Sequence, residues 1–303
     1  MIEQDTQTRS GFVALLGAPN AGKSTLMNQL VGSKISIVTH KVQSTRAVMR
    51  GIAIQDNCQI IFVDTPGIFA PRRRLDEAMV TTAWGSARDA DISVFLIDAE
   101  RGLTDDLESI IGKLETVSGP VVLLINKIDQ IQRDQLLELT TKLHALYTFD
   151  ETFMVSALNG DGCSDFMDYL SVNLPEGPYM YPEDQISDLP LRMLAAEVTR
   201  EKIYLRLHQE LPYASHVETE AWEDKKDGSV RIQQVIYVER QSQKKIIIGK
   251  NGSAIKAIST AARKDLTELV EQPVHLFLFV KVRENWGDDP ERYREMGLEF
   301  PVG

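Results

Sequence analysis

Four short apolar runs divide the first half of the chain, and a small or polar residue follows each of them. The runs are FVALL before Gly17, QIIFV before Asp64, VVLLI before Asn126 and TFMV before Ser156. Continuous apolar runs of this length are typical of strands that are buried on both faces of a parallel sheet. Ligands of open α/β sheets bind at the carboxyl ends of such strands, so the residues after each run are candidates for one shared binding site.

The second half has a different pattern. A helical period begins at Leu191, two strand-like runs joined by the turn sequence KKDG follow, and a GKNG loop then separates a short apolar helix from an amphipathic one. The final run, PVHLFLFVKV, alternates as a strand with one buried face does. Between the halves, residues 175–190 combine four prolines with acidic residues, which disfavours helix and strand. We therefore predict an α/β domain in residues 1–174, a linker in 175–190 and an α+β domain in 191–303.

The first apolar run leads into GAPNAGKS, which has the Gly-x-x-x-x-Gly-Lys-Ser spacing of a phosphate-binding loop. Gly17 and Gly22 allow backbone N–H groups to approach phosphates, and Lys23 can reach the outer phosphates. The Ser24 hydroxyl can bind Mg²⁺, and the helix that starts there adds its dipole. The loop predicts a nucleoside triphosphate site, but it fixes neither the base nor the reaction.

The other strand ends add a cation site and a base site. Asp64 suits a position behind the Mg²⁺ ligands, and the N–H of Gly67, three residues later, can contact the terminal phosphate. Asp129, in the sequence NKID, can accept two hydrogen bonds from the N1–H and amino groups of guanine, which adenine does not offer on that edge. Ser156 and Ala157 can direct backbone N–H groups at the guanine oxygen. The predicted base is therefore guanine.

A polar stretch between the phosphate loop and the second run, VTHKVQSTRAVMRG, has the position of a switch that senses the terminal phosphate. A hydroxyl there would complete the Mg²⁺ coordination, and we expect it to be Thr45, with Ser44 as the alternative. Ile68 occupies the position after Gly67 where a glutamine would orient the attacking water, so we predict slow intrinsic hydrolysis. The predicted catalytic residues are Lys23, Thr45 and Gly67. The predicted nucleotide contacts are Gly17, Ala18, Pro19, Asn20, Ala21, Gly22, Lys23, Ser24, Thr25, Asp64, Thr65, Pro66, Gly67, Ile68, Asn126, Lys127, Asp129, Ser156 and Ala157.

Charge separates the two halves. The chain of 303 residues has a formal net charge of −11, which by itself argues against a nucleic acid partner. Residues 240–264, however, contain seven Lys and Arg residues and no Asp or Glu. Cysteine and histidine show no metal-ligand spacing, and no apolar run reaches the roughly 18 residues of a membrane span. We therefore expect a cytoplasmic protein without a Cys or His metal site.

The order of motifs in residues 8–175 resembles the translation-factor-like GTPases, and the helix–strand–strand–helix–GxxG–helix–strand order that follows resembles a type II K-homology (KH) domain of bacteria. With sequences such as VERQSQKKIIIGKNG and VKVRENWGDDPERYREMG, the whole chain resembles the Era family, bacterial GTPases that assist assembly of the small (30S) ribosomal subunit. The resemblance implies a P-loop GTPase domain with helices on both faces of a mostly parallel sheet, followed by the KH domain. It also implies GTP and GDP as ligands, Mg²⁺ as cofactor, and K⁺ dependence through Asn20.

The same resemblance implies that the KH domain binds the single-stranded 3′ end of 16S ribosomal RNA. In such domains the GxxG loop clamps the backbone of about four nucleotides, because the glycines permit close approach. The predicted RNA contacts are Lys244, Lys245, Ile248, Gly249, Lys250, Asn251, Gly252 and Lys256. Peripheral association with the inner membrane is sometimes described for the family, although the sequence has no basic amphipathic membrane helix. We expect a monomer.

Other interpretations differ in what they predict. The main alternative is an RNA-binding assembly scaffold whose GTPase activity controls only its residence time, and it predicts that Lys23→Ala leaves RNA affinity unchanged. A P-loop kinase or ATPase is disfavoured by the sequence NKID at residues 126–129. A tRNA-modifying GTPase would need a further catalytic domain, for which these residues leave no room.

Overall fold

The computed structural model describes residues 7–39, 45–71, 73–207, 211–212, 214–284, 286 and 289–301. The chain divides into two compact units. The first unit consists of Met1–Ile35, Thr45–Asp188 and Arg294–Gly303, and the second consists of Ser36–Ser44 and Leu189–Tyr293.

The first unit is a sheet of six strands with its connecting helices. The strands are β1 (Arg9–Gly17), β2 (Met49–Gln55), β3 (Cys58–Asp64), β4 (Ile92–Asp98), β5 (Val121–Asn126) and β6 (Glu151–Val155). The helices are α1 (Lys23–Val31), α2 (Arg74–Asp89), α3 (Asp105–Ile111), α4 (Arg133–Leu146) and α5 (Cys163–Asn173), with 3-10 turns at Leu114–Thr116 and Ile128–Gln130. The strand order is β2-β3-β1-β4-β5-β6, in which β2 and β3 are antiparallel and the other neighbours are parallel.

The apolar runs predicted as buried strands lie in this sheet. Strands β3, β4 and β5 are buried at every residue, so both of their faces are covered. On one side of the sheet, Phe95 and Leu123 pack in a core with Ala83 of α2 and Leu139 of α4. The parallel strands therefore present their carboxyl ends, and the polar residues that follow them, at one edge.

The interval predicted as a linker packs along the edge of this sheet. In β2, the Ile52 N–H donates to the Ile186 carbonyl at 2.9 Å. In β3, the Gln59 amide donates to the Tyr181 carbonyl at 2.8 Å and accepts from the Tyr181 N–H at 3.0 Å. The prolines do exclude helix, as expected, but most of the interval is fixed to the first unit.

The second unit has the predicted order of elements. They are α6 (Leu191–Arg206), β7 (Ser215–Asp224), β8 (Val230–Val238), α7 (Gln241–Ile248), a 3-10 turn at Lys250–Gly252, α8 (Ser253–Val270) and β9 (Val274–Val282). A further helix, α9 (Pro290–Glu295), begins in this unit, and its last two residues belong to the first unit. The sheet order is β7-β8-β9, with β7 and β8 antiparallel and β8 and β9 parallel. Ile258, Ala262 and Leu266 of α8 are buried, as the amphipathic pattern of that helix predicts.

The units differ from the linear boundaries predicted from the sequence in two segments. Residues 36–39 belong to the second unit, where the Val38 N–H donates to Glu201 Oε1 at 3.1 Å. The C-terminal segment, residues 294–301, belongs to the first unit. The proline content of the sequence indicates where the linker lies. The assignment of these two segments to the other unit depends on contacts between residues far apart in sequence, which composition does not reveal.

Candidate nucleotide site and RNA-binding loop

The phosphate loop needs its glycines for steric reasons. Gly17 has φ 146°, and a Cβ on it would lie 2.3 Å from the Leu96 carbonyl oxygen. Gly22 has φ 103°, and a Cβ there would lie 2.1 Å from Nδ2 of Asn126. Both the conformation and the space therefore exclude a side chain at these two positions.

Lys23 is held inside the loop that it serves. Its ammonium donates to the carbonyl oxygens of Gly17 at 3.0 Å and Ala18 at 3.1 Å. Burial lowers the pKa of Lys23 to about 8, partly opposed by the negative charge of Asp64. Because burial disfavours the charged form of the lysine, a phosphate beside it would stabilise that form, so the site suits an anionic ligand.

Three side chains predicted to serve Mg²⁺ come together. The hydroxyl oxygens of Ser24 and Thr45 are 2.9 Å apart, and Asp64 Oδ2 accepts from Ser24 at 2.7 Å and from Thr45 at 3.4 Å. Hard oxygen donors are what Mg²⁺ prefers in proteins. The donor set fits the ion: the two hydroxyls would be its ligands, and the carboxylate would lie behind them. The predicted alternative, Ser44, lies outside the described residues.

The loop after β3 contributes backbone to the site and side chains to the core. A Cβ on Gly67 would lie 2.9 Å from Pro19, so its backbone closely approaches the phosphate loop. Thr65 was predicted as a nucleotide contact, but its hydroxyl is buried and donates to the Leu15 carbonyl at 2.7 Å. The side chain of Thr65 therefore joins β3 to β1, and only its backbone is available to a ligand.

Asn126 connects two parts of the site. Its amide donates to the Ala21 carbonyl at 2.8 Å, and its Oδ1 accepts from the Ala157 N–H at 2.9 Å. The side chain is fully buried. Asn126 thus ties the phosphate loop to the loop after β6, which makes it a residue that shapes the site.

Asp98 is a site residue that the sequence reasoning missed. It ends β4, and its carboxylate pairs with the ammonium of Lys127 at 2.5 Å. Lys127 itself has φ 65°, so its backbone turns sharply after β5. The run ISVFLI before Asp98 is a buried strand like the others, and the same strand-end rule would have identified this carboxylate.

Asp129, which is predicted to bind the guanine base, is exposed. Hydrogen bonds from the Ser156 hydroxyl, and then from Gln130, lower the pKa of its carboxyl below the ordinary value. The carboxylate is therefore ionised at neutral pH and can accept from the two guanine donors. Asp129 and Ser156, which are far apart in sequence, are neighbours, as the predicted base site requires.

The two N–H groups predicted to face the guanine oxygen have partners within the protein. The Ser156 N–H donates to the Asp161 carbonyl at 3.0 Å, and the Ala157 N–H donates to Asn126 Oδ1. The Ser156 prediction is corrected on this ground, because that donor closes the loop after β6. Ala157 can contact the base only by sharing its N–H with Asn126.

Other predicted contacts lie in the phosphate loop and in the loop after β3. Asn20 adopts φ 65°, a left-handed conformation that asparagine tolerates, in the turn between β1 and α1. The remaining predicted residues in the loops and helix start at this edge are Ala18, Pro19, Ala21, Thr25 and Pro66.

The GxxG loop of the second unit also depends on backbone geometry. Gly249 has φ 74°, and a Cβ on it would lie 2.7 Å from Ala254 Cβ. Asn251 and Gly252 have φ 53° and 76°, and α8 begins at the next residue. The loop therefore exposes backbone at a helix N-terminus, where phosphate oxygens bind well.

Basic side chains surround this loop. Lys245, Lys250, Asn251 and Lys256 are exposed, whereas Lys244 and Ile248 are partly buried. Ile246, on α7 two residues before Ile248, is 55% exposed and was not predicted as a contact. An exposed apolar side chain beside a phosphate-binding loop can pack against a base.

Comparison with known proteins identifies the family. Residues 12–127 match the family described as 50S ribosome-binding GTPase, and residues 210–287 match the KH domain family. GTPase Era of Sinorhizobium medicae is 69% identical over 304 residues, which cover 99% of this chain and 98% of that protein. GTPase Era of Agrobacterium fabrum is 71% identical over 296 residues, with 98% and 93% covered. The chain belongs to the Era family of GTPases.

Solved Era structures have the same fold. An Aquifex aeolicus Era variant bound to GDP·AlF₄⁻ superposes with a TM-score of 0.90 at 38% identity, covering 96% of this chain and 99% of that one. Era in complex with MgGDPNP and nucleotides 1506–1542 of 16S ribosomal RNA gives a TM-score of 0.91 with the same identity and coverage. The predicted GTPase domain followed by a KH domain is confirmed. None of the helices in the described part of the chain combines the length and hydropathy of a membrane span.

The side chain of Ile68 does not lie where it could orient a water molecule in this Era-family site. Its side chain is 3% exposed and lies in the core with Leu16 and Phe95, while its N–H donates to the Gly17 carbonyl at 3.0 Å. An apolar group directed into the core cannot hydrogen-bond a water. The side chain of Ile68 therefore does not orient the attacking water, and slow intrinsic hydrolysis stays a prediction.

Replacing Ile68 with glutamine is expected to leave the single-turnover rate of GTP hydrolysis unaccelerated. The amide would be buried among apolar side chains, so we expect a loss of roughly 2 kcal/mol in the free energy of unfolding. Rapid-quench hydrolysis and denaturant unfolding measure the two effects, and Ile68→Leu is the matched control. A rate increase of about tenfold or more, as a water-orienting group would give, would show that the side chain can reach the nucleotide.

Proposed function

We propose that this Era-family GTPase is a nucleotide-controlled RNA binder that acts on the single-stranded 3′ end of 16S ribosomal RNA and assists assembly of the small ribosomal subunit in the cytoplasm. The observation that carries the proposal is the presence of two phosphate-binding glycine loops in one chain. Gly17 to Ser24 is suited to a nucleotide, and Gly249 to Gly252 has exposed lysines and no acidic residue nearby in sequence. Solved Era has been captured with both a GTP analogue and this RNA region.

In the nucleotide site, Lys23 and the loop N–H groups bind and orient the phosphates, and Asp129 selects guanine. Ser24 and Thr45 would hold Mg²⁺ with Asp64 behind them, and the ion would neutralise charge on the outer phosphates. Because Thr45 belongs to the switch and Ser24 to the phosphate loop, their convergence links the conformation of the switch to the triphosphate state. Hydrolysis would release that link and weaken the hold on RNA.

The coupling must be reciprocal at equilibrium, so RNA is expected to increase affinity for the GTP analogue by about 5- to 150-fold. The experiment measures the Kd of a fluorescent non-hydrolysable GTP analogue with and without an RNA of the 3′-end sequence. An RNA of the same composition in reversed order is the control. If the matching RNA leaves the Kd unchanged, the assembly-scaffold alternative replaces this proposal.

Potassium dependence is expected because Asn20, in the turn beside the outer phosphates, offers a carbonyl oxygen of the kind that binds alkali cations. Turnover in KCl should be about tenfold faster than in NaCl at equal ionic strength, well below the roughly 10³- to 10⁵-fold that an arginine finger supplies. The ratio of the two rates should fall towards one in Asn20→Ala. Equal rates in both salts with the unaltered protein would refute K⁺ as an activator.

A further inference from the structure

The C-terminal segment, residues 294–301, lies on the GTPase domain with one face buried. Met296 and Leu298 are 6% and 4% exposed and Phe300 is half-buried, whereas the residues between them are exposed. This alternation is that of an extended segment packed on one side. The segment belongs to the first unit, although it follows the KH domain in sequence.

The first contact of the segment is with the end of the first switch. The Val48 N–H donates to the Met296 carbonyl at 3.3 Å. Val48 lies three residues after Thr45, the predicted Mg²⁺ ligand, and the residues between them are buried. This bond therefore fixes the backbone at the point where the switch enters β2.

The second contact is with the segment after Gly67, residues 68–79, which has the position of a second switch that senses the terminal phosphate. The guanidinium carbon of Arg74 lies 5.3 Å from the centre of the Phe300 ring. Arg74 is the first residue of α2, the helix that follows the loop of Gly67. A cation stacked on an aromatic ring is held in place by the ring quadrupole. Phe300 thus contacts the first residue of α2, which lies within this second switch.

We propose that the C-terminal segment positions both switches for GTP hydrolysis, with Phe300 acting as a positioning residue through Arg74. Ordering the switches around a terminal phosphate costs conformational entropy, and a loop whose far end is already fixed loses less of it. GDP lacks the terminal phosphate, so its binding depends on the phosphate loop and the base site. The segment therefore favours the triphosphate state selectively, and this holds whatever RNA the KH domain binds.

Phe300→Ala is the test. The affinity for a non-hydrolysable GTP analogue should fall about 2- to 5-fold, the range of one exposed cation–π contact, while the affinity for GDP stays unchanged. The KM for GTP should rise in parallel. Isothermal titration with both nucleotides at one Mg²⁺ concentration gives the ratio of the two affinities, which a general loss of folded protein would not alter.

Three further variants test whether the effect depends on the contact between Arg74 and the Phe300 ring. Phe300→Tyr keeps the ring and should restore the ratio, and Arg74→Ala should lower it without adding to the effect of Phe300→Ala. Phe277→Ala is the matched control, because Arg231 lies over its ring at 5.1 Å in the sheet of the second unit. An unchanged ratio in Phe300→Ala, an equal loss of affinity for both nucleotides, or the same change in Phe277→Ala would each overturn the proposal.

Discussion

Asp129→Asn is expected to lower affinity for GTP by about 10²- to 10⁴-fold, because one hydrogen bond becomes a donor facing a donor and the other loses its charged acceptor. An asparagine amide presents one acceptor and one donor, so it opposes one of the two guanine donors. Xanthine has an oxygen where guanine has its amino group, and that oxygen can accept from the new amide. Preference should therefore shift from guanine towards xanthine nucleotides.

The measurement is competition of GTP and XTP for the Asp129→Asn variant and for the unaltered protein. Gln130→Ala is a matched control, since Gln130 bonds to the Asp129 carboxylate but is not required to contact the base. It should leave the choice of nucleotide unchanged. If Asp129→Asn retains the original preference for GTP, the assignment of this carboxylate to the base is wrong.

The second large effect is expected at the GxxG loop. Replacing Lys250 and Asn251 with aspartate keeps both glycines and puts two negative charges where phosphates are proposed to bind. We expect RNA affinity to fall by about 100-fold, and the dependence of log K on log salt to become shallower by about one unit for each phosphate that the variant no longer binds. Filter binding across a salt series measures both quantities.

Lys264→Asp is the control for this substitution. Lys264 belongs to the same basic run, its side chain is 78% exposed, and it lies on α8 well after the loop. Because it changes net charge without altering the loop, it should reduce RNA affinity only slightly. Equal losses in the loop variant and in Lys264→Asp would mean that general charge, and not the GxxG loop, binds the RNA.

Much of the site could be predicted from the sequence, because its residues lie at the ends of strands. Asp64, Asn126 and Ser156 each follow an apolar run, and a parallel sheet brings such residues to one edge. The glycine positions were also predictable, because the spacing of Gly17 and Gly22 follows from the backbone conformation of the phosphate loop. The local sequence pattern therefore predicts the fold, and it predicts approximately which residues form the site.

Hydrogen-bond partners were less predictable, because they depend on which residues the fold brings close together. The sequence does not show that Asn126 takes up the Ala157 N–H or that Lys127 pairs with Asp98. The same limit applies to the C-terminal segment, whose contacts with Val48 and Arg74 join residues more than two hundred positions apart. Such contacts depend on how segments that are distant in sequence pack together.

Equilibrium binding of an RNA with the 3′-end sequence, at fixed salt and Mg²⁺, tests whether the nucleotide state controls RNA affinity. The titration is performed once with a non-hydrolysable GTP analogue and once with GDP. We expect RNA binding to be about 5- to 150-fold tighter with the analogue, and we expect that difference to be lost in Thr45→Ala. Equal affinity in the two nucleotide states would contradict this expectation.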